Sequence, residues 1–289
     1  MGRTKGKMAK ATGDLIFQAK EILVEYRPTP MTLRQLYYQL VSRGFVKNNA
    51  AEYRKLSKAI VTARQNGIIP WDWIEDMMRK PRYVSMWSGM NQFGISVLRA
   101  YRLNVWSSQP QYVEVWLEKD ALSGIFEDIL EPYGVTLNVG RGYDGWTSIK
   151  DAARRYKEIG KPVSILYFGD FDPSGEDMNK SLEERLNFFK GFTATIDKVA
   201  ILKDDIEKYD LPPALAKKTD TRYEQFIEAQ GDAKTVELDA LPINVLTSRI
   251  KTEVEANLDM AALGALLETE SEQRATLEQM FRDQNAATA

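Results

Sequence analysis

Two aspartates, Asp170 and Asp172, follow a run of apolar residues and form the clearest chemical motif in the sequence. The run, residues 163–168, is predicted as a buried strand of a parallel sheet, because such strands are apolar on both faces. Residues two apart in an extended chain point to the same side, so both carboxylates would face one way where open α/β sheets bind ligands. Paired carboxylates suit Mg²⁺ or Mn²⁺. The alternative is an acidic turn in which Asp172 or Ser174 caps the next helix.

A second acidic position, Glu118, follows another apolar stretch earlier in the chain, residues 113–117. Between the two acidic positions, residues 135–139 are predicted as a third strand that runs into a glycine turn ending at Gly142. The order of these motifs is strand–Glu, strand–Gly, strand–Asp-x-Asp, with helical stretches between them. The chain therefore resembles a Toprim domain, a Rossmann-like fold with a mostly parallel sheet.

The composition restricts the chemistry, since the 289 residues include neither cysteine nor histidine. Without cysteine there are no disulfides and no thiolate metal site. Without histidine the usual general base and the usual zinc ligand are both missing. Catalysis would have to use carboxylates, Lys, Arg, Tyr, Ser or Thr with a hard metal. No apolar run reaches transmembrane length and no signal peptide is evident, so a cytoplasmic, nucleoid-associated protein with no membrane partner is expected.

Charge is divided unevenly along the chain, although the net charge is only −2. Residues 1–108 hold 18 Lys and Arg against 7 Asp and Glu, a net of +11, and the remainder carries −13. Such an asymmetry suggests that the basic part contacts nucleic acid. We therefore predict a basic flexible arm over residues 1–12, a DNA-binding domain over 13–108, and a metal-binding domain with C-terminal helices over 109–289.

The first domain is predicted as three short helices, the second over residues 33–43 and the third over about 50–65. Thr32 and Gln35 form a capping-box pattern at the start of the second helix. Three helices with a basic third one are typical of helix-turn-helix and winged-helix domains, and residues 68–74 could supply the wing. The basic residues of the third helix that lie mostly outside its apolar stripe are the predicted DNA contacts, namely Arg54, Lys55, Lys58 and Arg64.

The second helix carries two adjacent tyrosines. Tyr37 belongs to the apolar stripe, whereas Tyr38 lies outside it, four residues after Arg34 and on the same face. With this helix included, the chain resembles the A subunit of type IIB topoisomerases (topoisomerase VI) and the related meiotic double-strand-break protein. Those proteins pair a winged-helix domain with a Toprim domain. Their nucleophile is the second tyrosine of an Arg-x-x-Tyr-Tyr pattern, which corresponds here to Tyr38. Arg34 would lower the pKa of that tyrosine or hold the scissile phosphate.

The resemblance also implies a cofactor and partners. Glu118, Asp170 and Asp172 would hold Mg²⁺, with Mn²⁺ as a possible substitute, and cleavage would leave a 5′-phosphotyrosyl link. The family's Gly-Lys-Gly-x-Pro turn corresponds to residues 140–144, with Arg in place of Lys and no Pro. The implied partners are double-stranded DNA, a second copy of the chain and an ATPase B-type subunit. In the family's dimers, the tyrosine of one protomer faces the metal site of the other, and the same arrangement is expected here.

The chain also departs from the family, because it is shorter than the topoisomerase subunits and has no nucleotide-binding loop. It is similar to compact stand-alone relatives found on mobile elements. Three functions stay open: tyrosine-dependent DNA cleavage, a Toprim phosphodiesterase in which Tyr38 is idle, and a DNA-binding subunit active only with a partner. The alternative to Tyr38 as the nucleophile is that it is a surface tyrosine on a DNA-binding helix. Glu237 and Asp239 are expected to cap structure and not to bind metal.

Overall fold

The structure is a computed structural model that describes residues 10–75, 84–140 and 146–287. Its helices are α1 (Lys10–Glu25), α2 (Leu33–Ser42), α3 (Ala50–Gln65), α4 (Met90–Ala100), α5 (Ser123–Leu130), α6 (Trp146–Ile159), α7 (Pro173–Phe188), α8 (Lys203–Lys208), α9 (Tyr223–Gln230), α10 (Ile243–Ala256) and α11 (Met260–Ala287). Its strands are β1 (Met31–Thr32), β2 (Ile74–Glu75), β3 (Tyr112–Leu117), β4 (Thr136–Val139), β5 (Val163–Phe168), β6 (Ala194–Ala200), β7 (Ala214–Leu215) and β8 (Lys234–Thr235). None of the helices among these residues is both long enough and apolar enough to cross a membrane.

The centre of the molecule is a four-stranded parallel sheet in the order β4-β3-β5-β6, which confirms the predicted α/β class. Every residue of β3 and β5 is buried, as expected for the two middle strands. The register pairs Leu117 with Phe168, so both strands end at the same edge of the sheet. The backbone N–H of Glu118 continues this pairing and donates to the carbonyl of Phe168 at 2.9 Å. The acidic positions after β3 and β5 therefore lie side by side.

Both faces of the sheet are covered, and one buried carboxylate lies beneath its helical cover. Glu114 of β3 is fully buried among the aromatic residues under α6 and α7. It accepts hydrogen bonds from Arg155 at 2.7 Å, from the Tyr156 hydroxyl at 2.8 Å and from the Trp116 indole at 2.9 Å. A buried charge with this many donors is compensated, so Glu114 fixes α6 on the sheet.

In the basic half, α2 and α3 end within one residue of the expected positions, whereas α1 begins at Lys10, inside the segment predicted as a flexible arm. The capping box at Thr32 and Gln35 is present, since each side chain accepts a hydrogen bond from the other's backbone N–H. The predicted wing, residues 68–74, contributes a short 3-10 turn and the start of β2, which pairs in parallel with β1. The winged-helix assignment stays a prediction, as does the Toprim assignment of the sheet.

The C-terminal helices connect the two halves of the chain. α10 packs against α5 beside the sheet, whereas α11 returns to α4 in the basic half. The carboxylate of Glu270 on α11 is buried and accepts a hydrogen bond from the backbone N–H of Leu103 at 2.8 Å. Most of the predicted basic arm and of the glycine turn, residues 1–9 and 141–144, lie outside the described residues.

Candidate active site

Glu118 and Asp170 meet at the edge where β3 and β5 end. The backbone N–H of Asp170 donates to Oε2 of Glu118 at 2.9 Å. Asp170 Oδ1 in turn accepts from the backbone N–H of Leu238 at 2.7 Å. The Glu118 carboxylate approaches the backbone so closely that a Cβ on Gly169 would lie 2.7 Å from Oε2. A side chain at position 169 would therefore displace the Glu118 carboxylate from its present position.

Asp172 caps α7 and also faces the site. Its Oδ1 accepts a hydrogen bond from the backbone N–H of Gly175 at 2.7 Å, so the N-cap alternative for this residue is correct. Capping does not remove the residue from the acidic group, because its charge acts on Glu118. Burial raises the pKa of Asp172 and the neighbouring charge of Asp170 adds to that effect, while the hydrogen bond from Gly175 opposes it.

The three predicted metal ligands repel one another electrostatically. Burial raises the pKa of Glu118 to about 7, and the charges of Asp170 and Asp172 contribute to the rise. A divalent cation would relieve this repulsion, and an all-oxygen donor set suits Mg²⁺ or Mn²⁺. The chemistry of these residues therefore fits the predicted metal. Among the described residues, no group of three acidic side chains is already arranged to hold a metal ion, so metal binding stays a prediction.

Lys119 is the centre of a charged cluster that the sequence analysis did not assign to the site. Its Nζ lies 2.6 Å from Asp239 Oδ2, 3.0 Å from Glu237 Oε2 and 3.1 Å from Asp170 Oδ1. Burial alone would lower the pKa of Lys119, but the three carboxylates outweigh burial and raise it. Lys119 therefore stays protonated, and it compensates the buried charge of Asp239, whose side chain has no solvent exposure. In the sequence, Glu237 and Asp239 have the same two-residue spacing as Asp170 and Asp172. This similarity is the feature that could have indicated the cluster.

Arg34 and Tyr38 reach the same cluster from α2. Arg34 forms ion pairs with Glu237 and, at 3.6 Å, with Asp239. The Tyr38 side chain lies close enough to Arg34 and Glu237 for the charges of both to act on its hydroxyl. Tyr38 is only 7% exposed, so the alternative of a surface tyrosine is wrong. Residues 238–240 pack against α2. They cover the face of α2 that carries Arg34 and Tyr38, which lies outside the apolar stripe of this helix.

The protonation of Tyr38 also differs from expectation. Arg34 was predicted to lower the pKa of this hydroxyl, and its charge does act in that direction. Burial acts more strongly in the opposite sense, and the negative charge of Glu237 adds to it, so the pKa of Tyr38 is raised. Conversely, Lys119 and Arg34 outweigh burial at Glu237 and lower the pKa of that carboxyl. The resting site therefore holds a neutral phenol beside an ionised carboxylate.

Tyr38 and Asp172 line the same cleft within one chain. The cleft has a volume of about 350 Å³, and Glu237 also lines it. Phe171 and Val236 form an antiparallel bridge, with backbone N–O distances of 2.8 and 2.9 Å, which holds the residues that follow them close together. Those next residues are Asp172 and Glu237. A single chain thus brings the predicted nucleophile and one predicted metal ligand to a common space.

The predicted DNA contacts on α3 differ in their surroundings. Arg54 and Lys58 are exposed. Lys55 is also exposed and pairs with Glu52 at 3.5 Å. Arg64, in contrast, stacks over the ring of Trp71 at 4.4 Å and donates to the carbonyl of Ile74 at 3.1 Å. Arg64 is therefore engaged in holding the segment after α3, in addition to any contact with DNA.

Comparison with known proteins adds no family to these observations. The sequence matches no protein-family model, and no curated protein is significantly similar to it.

Proposed function

We propose that this protein is a DNA-cleaving enzyme of the topoisomerase VI A-subunit type, in which Tyr38 attacks the DNA backbone beside a Mg²⁺ site. The observation that carries the proposal is the cleft that Tyr38 and Asp172 both line. A nucleophile and a charge-stabilising group must meet at one phosphodiester, and a common cleft gives them that opportunity. The net charge of +11 over residues 1–108 supports double-stranded DNA as the substrate.

In the proposed reaction, the oxygen of Tyr38 forms a bond to phosphorus, and the bond from phosphorus to the 3′-oxygen breaks. The departing 3′-oxygen takes up a proton from water, so the products are a 5′-phosphotyrosyl link and a free 3′-hydroxyl. The proton of the Tyr38 hydroxyl passes to Glu237, a carboxylate that lines the same cleft and whose pKa is lowered by Lys119 and Arg34. Arg34 lies beside both groups and would hold the phosphate through its guanidinium. The reverse reaction reseals the strand.

Glu118, Asp170 and Asp172 would hold the metal. When bound, Mg²⁺ or Mn²⁺ supplies positive charge that stabilises the phosphoryl oxygens and the departing 3′-oxygen. Lys119 positions two of the groups involved, because it contacts both Asp170 and Glu237. The further partners that we propose are a second copy of the chain, so that both strands are cut, and an ATPase B-type subunit.

A metal-dependent phosphodiesterase in which Tyr38 is idle is the second candidate. The raised pKa and burial of Tyr38 favour it, since a neutral, enclosed phenol is a weak nucleophile. In that reaction a water molecule attacks phosphorus in place of the tyrosine, and the products have free ends. A DNA-binding subunit that cleaves only with an added partner remains the third possibility.

These functions are separated by incubating the protein with end-labelled duplex DNA and Mg²⁺ and then denaturing it with SDS. An SDS-resistant protein–DNA adduct is expected; free 5′-phosphate ends without an adduct would favour the phosphodiesterase. Cleavage only after a partner is added would favour the subunit. Asp170→Asn should abolish cleavage while the fold survives, because the amide oxygen can still accept from Leu238. Asp128→Asn, on an exposed position of α5, is the matched control and should cleave normally.

A further inference from the structure

Residues 212–217 form one side of the cleft and contain none of the proposed catalytic residues or metal ligands. This segment includes β7, which pairs with β8 in an antiparallel ladder, and the backbone N–H of Ala216 donates to the carbonyl of Ala233 at 2.8 Å. The segment between these strands is anchored by the ring of Phe226, which packs on Phe171 with centroids 5.4 Å apart. Since Phe171 immediately precedes Asp172, this wall is fixed relative to the site.

The charges that line the cleft are mostly negative. Among the described residues that line the cleft, Asp172, Asp220 and Glu237 are acidic, and Lys217 is the one lysine or arginine. Asp220 is paired with Arg222 at 2.9 Å, and Glu237 is paired with Arg34 and Lys119. Lys217 is exposed and forms no ion pair within the described part of the chain. Its ammonium is therefore available to a ligand.

A nucleic-acid strand in this cleft would bring further negative charge to a negative lining. Such a ligand requires cationic contacts in addition to Arg34, and among the lining residues that the structure describes Lys217 can provide one. The next residue, Lys218, is also exposed but does not line the cleft. The two neighbours thus carry the same charge on the same segment and differ in their access to the cleft.

We propose that Lys217 contacts a backbone phosphate of the nucleic-acid strand that lies between Tyr38 and Asp172. The inference rests on the proposed function and extends it by assigning a substrate contact to residues 212–217. A contact from this wall would hold the strand beside Tyr38 and Asp172, which line the same cleft. Lys217 would then act on binding of the strand and not on the chemistry of the break.

The test measures binding of a labelled DNA duplex by fluorescence anisotropy at several salt concentrations, with the full chain carrying Tyr38→Phe to prevent cleavage. Lys217→Ala should lower the affinity about fivefold at low salt and flatten the slope of log affinity against log salt by about 0.9, the value for one phosphate contact. The ratio of affinities between the reference and variant proteins should then shrink about 3.5-fold from 50 to 200 mM salt. Lys217→Arg should bind like the reference protein.

Lys218→Ala is the matched control and should leave affinity and slope unchanged. Equal effects of Lys217→Ala and Lys218→Ala would indicate general surface charge and overturn the inference, as would no effect of either. Either result would leave the proposed function intact, provided that the unmodified chain still binds the duplex and forms the adduct. If the unmodified chain binds no duplex and forms no adduct, the proposed function fails and the inference fails with it.

Discussion

Lys119 and Asp239 form an ion pair of 2.6 Å in which the carboxylate is completely enclosed. The two residues come from distant parts of the sequence, one directly after β3 and the other shortly before α10. Lys119 also contacts Asp170 and Glu237. A single buried ammonium thus holds together the strand end that carries the candidate metal ligands and the segment that contacts Tyr38.

Lys119→Met is expected to destabilise the protein by about 3 kcal/mol, because the buried carboxylate of Asp239 loses its nearest counter-charge and keeps the more distant Arg34, at 3.6 Å. The free energy of unfolding from urea titration measures this effect. Lys251→Met on α10 is the control, since its side chain is 61% exposed and its pairing with Glu255 is long, at 3.9 Å; it should change stability by less than about 0.5 kcal/mol. Equal losses in the two variants would show that the buried cluster contributes no special stability.

Tyr38→Phe should abolish the SDS-resistant adduct with little loss of DNA affinity. Tyr37→Phe should retain the adduct but lose stability by about 1–3 kcal/mol, because its hydroxyl accepts a hydrogen bond from the backbone N–H of Asn49 at 2.7 Å. That N–H belongs to the residue that caps α3. Adduct yield on denaturing gels and urea titration separate the two effects. An adduct at full yield from Tyr38→Phe would exclude Tyr38 as the nucleophile.

Glu118 should make stability depend on pH in the metal-free protein. Its pKa is about 7 in the folded chain against an ordinary value of 4.5, so the folded state binds its proton more tightly. Ionisation of Glu118 therefore destabilises the fold as pH rises from about 4.5 to 7. Glu118→Gln should be more stable than the unmodified protein by about 2 kcal/mol at pH 8 and show little difference at pH 4.

Urea titrations in the presence of EDTA provide this measurement. Glu127→Gln, at an exposed position of α5, is the control and should stay within about 0.5 kcal/mol of the unmodified protein at both pH values. A Glu118→Gln protein that is no more stable at pH 8 would show that burial and the neighbouring carboxylates do not raise the pKa of Glu118 as inferred.

The basic residues of α3 should divide into two groups. Arg54→Ala combined with Lys58→Ala should weaken DNA binding for all sequences and flatten the salt dependence by about 1.8, since both residues are exposed. Arg64→Ala should instead lower stability, because its guanidinium stacks on Trp71 and donates to the Ile74 carbonyl. Anisotropy at several salt concentrations and urea titration test the two parts. Unchanged affinity of the double variant would remove α3 from the DNA interface.

The cleft of the single chain predicts that each protomer carries its own complete site. Tyr38→Phe protein mixed with Glu118→Ala protein should then recover no cleavage, because every chain lacks one essential group. The arrangement expected from the family resemblance, with sites shared between protomers, predicts that mixed dimers regain single-strand cutting. Exchange of labelled subunits must be demonstrated in the same mixture. Recovery of cleavage would therefore show that the site is shared and that the cleft of one chain is not the active site.

The parts of the fold that the sequence predicted are those with a local signal. β3 and β5 are continuous apolar runs, and α2 starts at a capping box, so each could be located from its own residues. The ion pair between Arg34 and Glu237 has no such local signal, because the two residues are far apart in the sequence. Hydrophobic periodicity around either residue does not indicate that the two meet. The burial of Tyr38 was missed for the same reason, since distant residues 238–240 cover it.

The bridge between Phe171 and Val236 fixes the spacing of Asp172 and Glu237 independently of the wall formed by residues 212–217. The bridge closes the long segment between Asp172 and Glu237, which includes α7, β6, α8 and α9. Insertions or deletions within this segment, away from the bridge, would change the wall at residues 212–217. They would not change the spacing between Asp172 and Glu237. Under the proposed function, a change in this closed segment would alter the contacts to the bound strand, while the proposed nucleophile and Asp172 keep their positions.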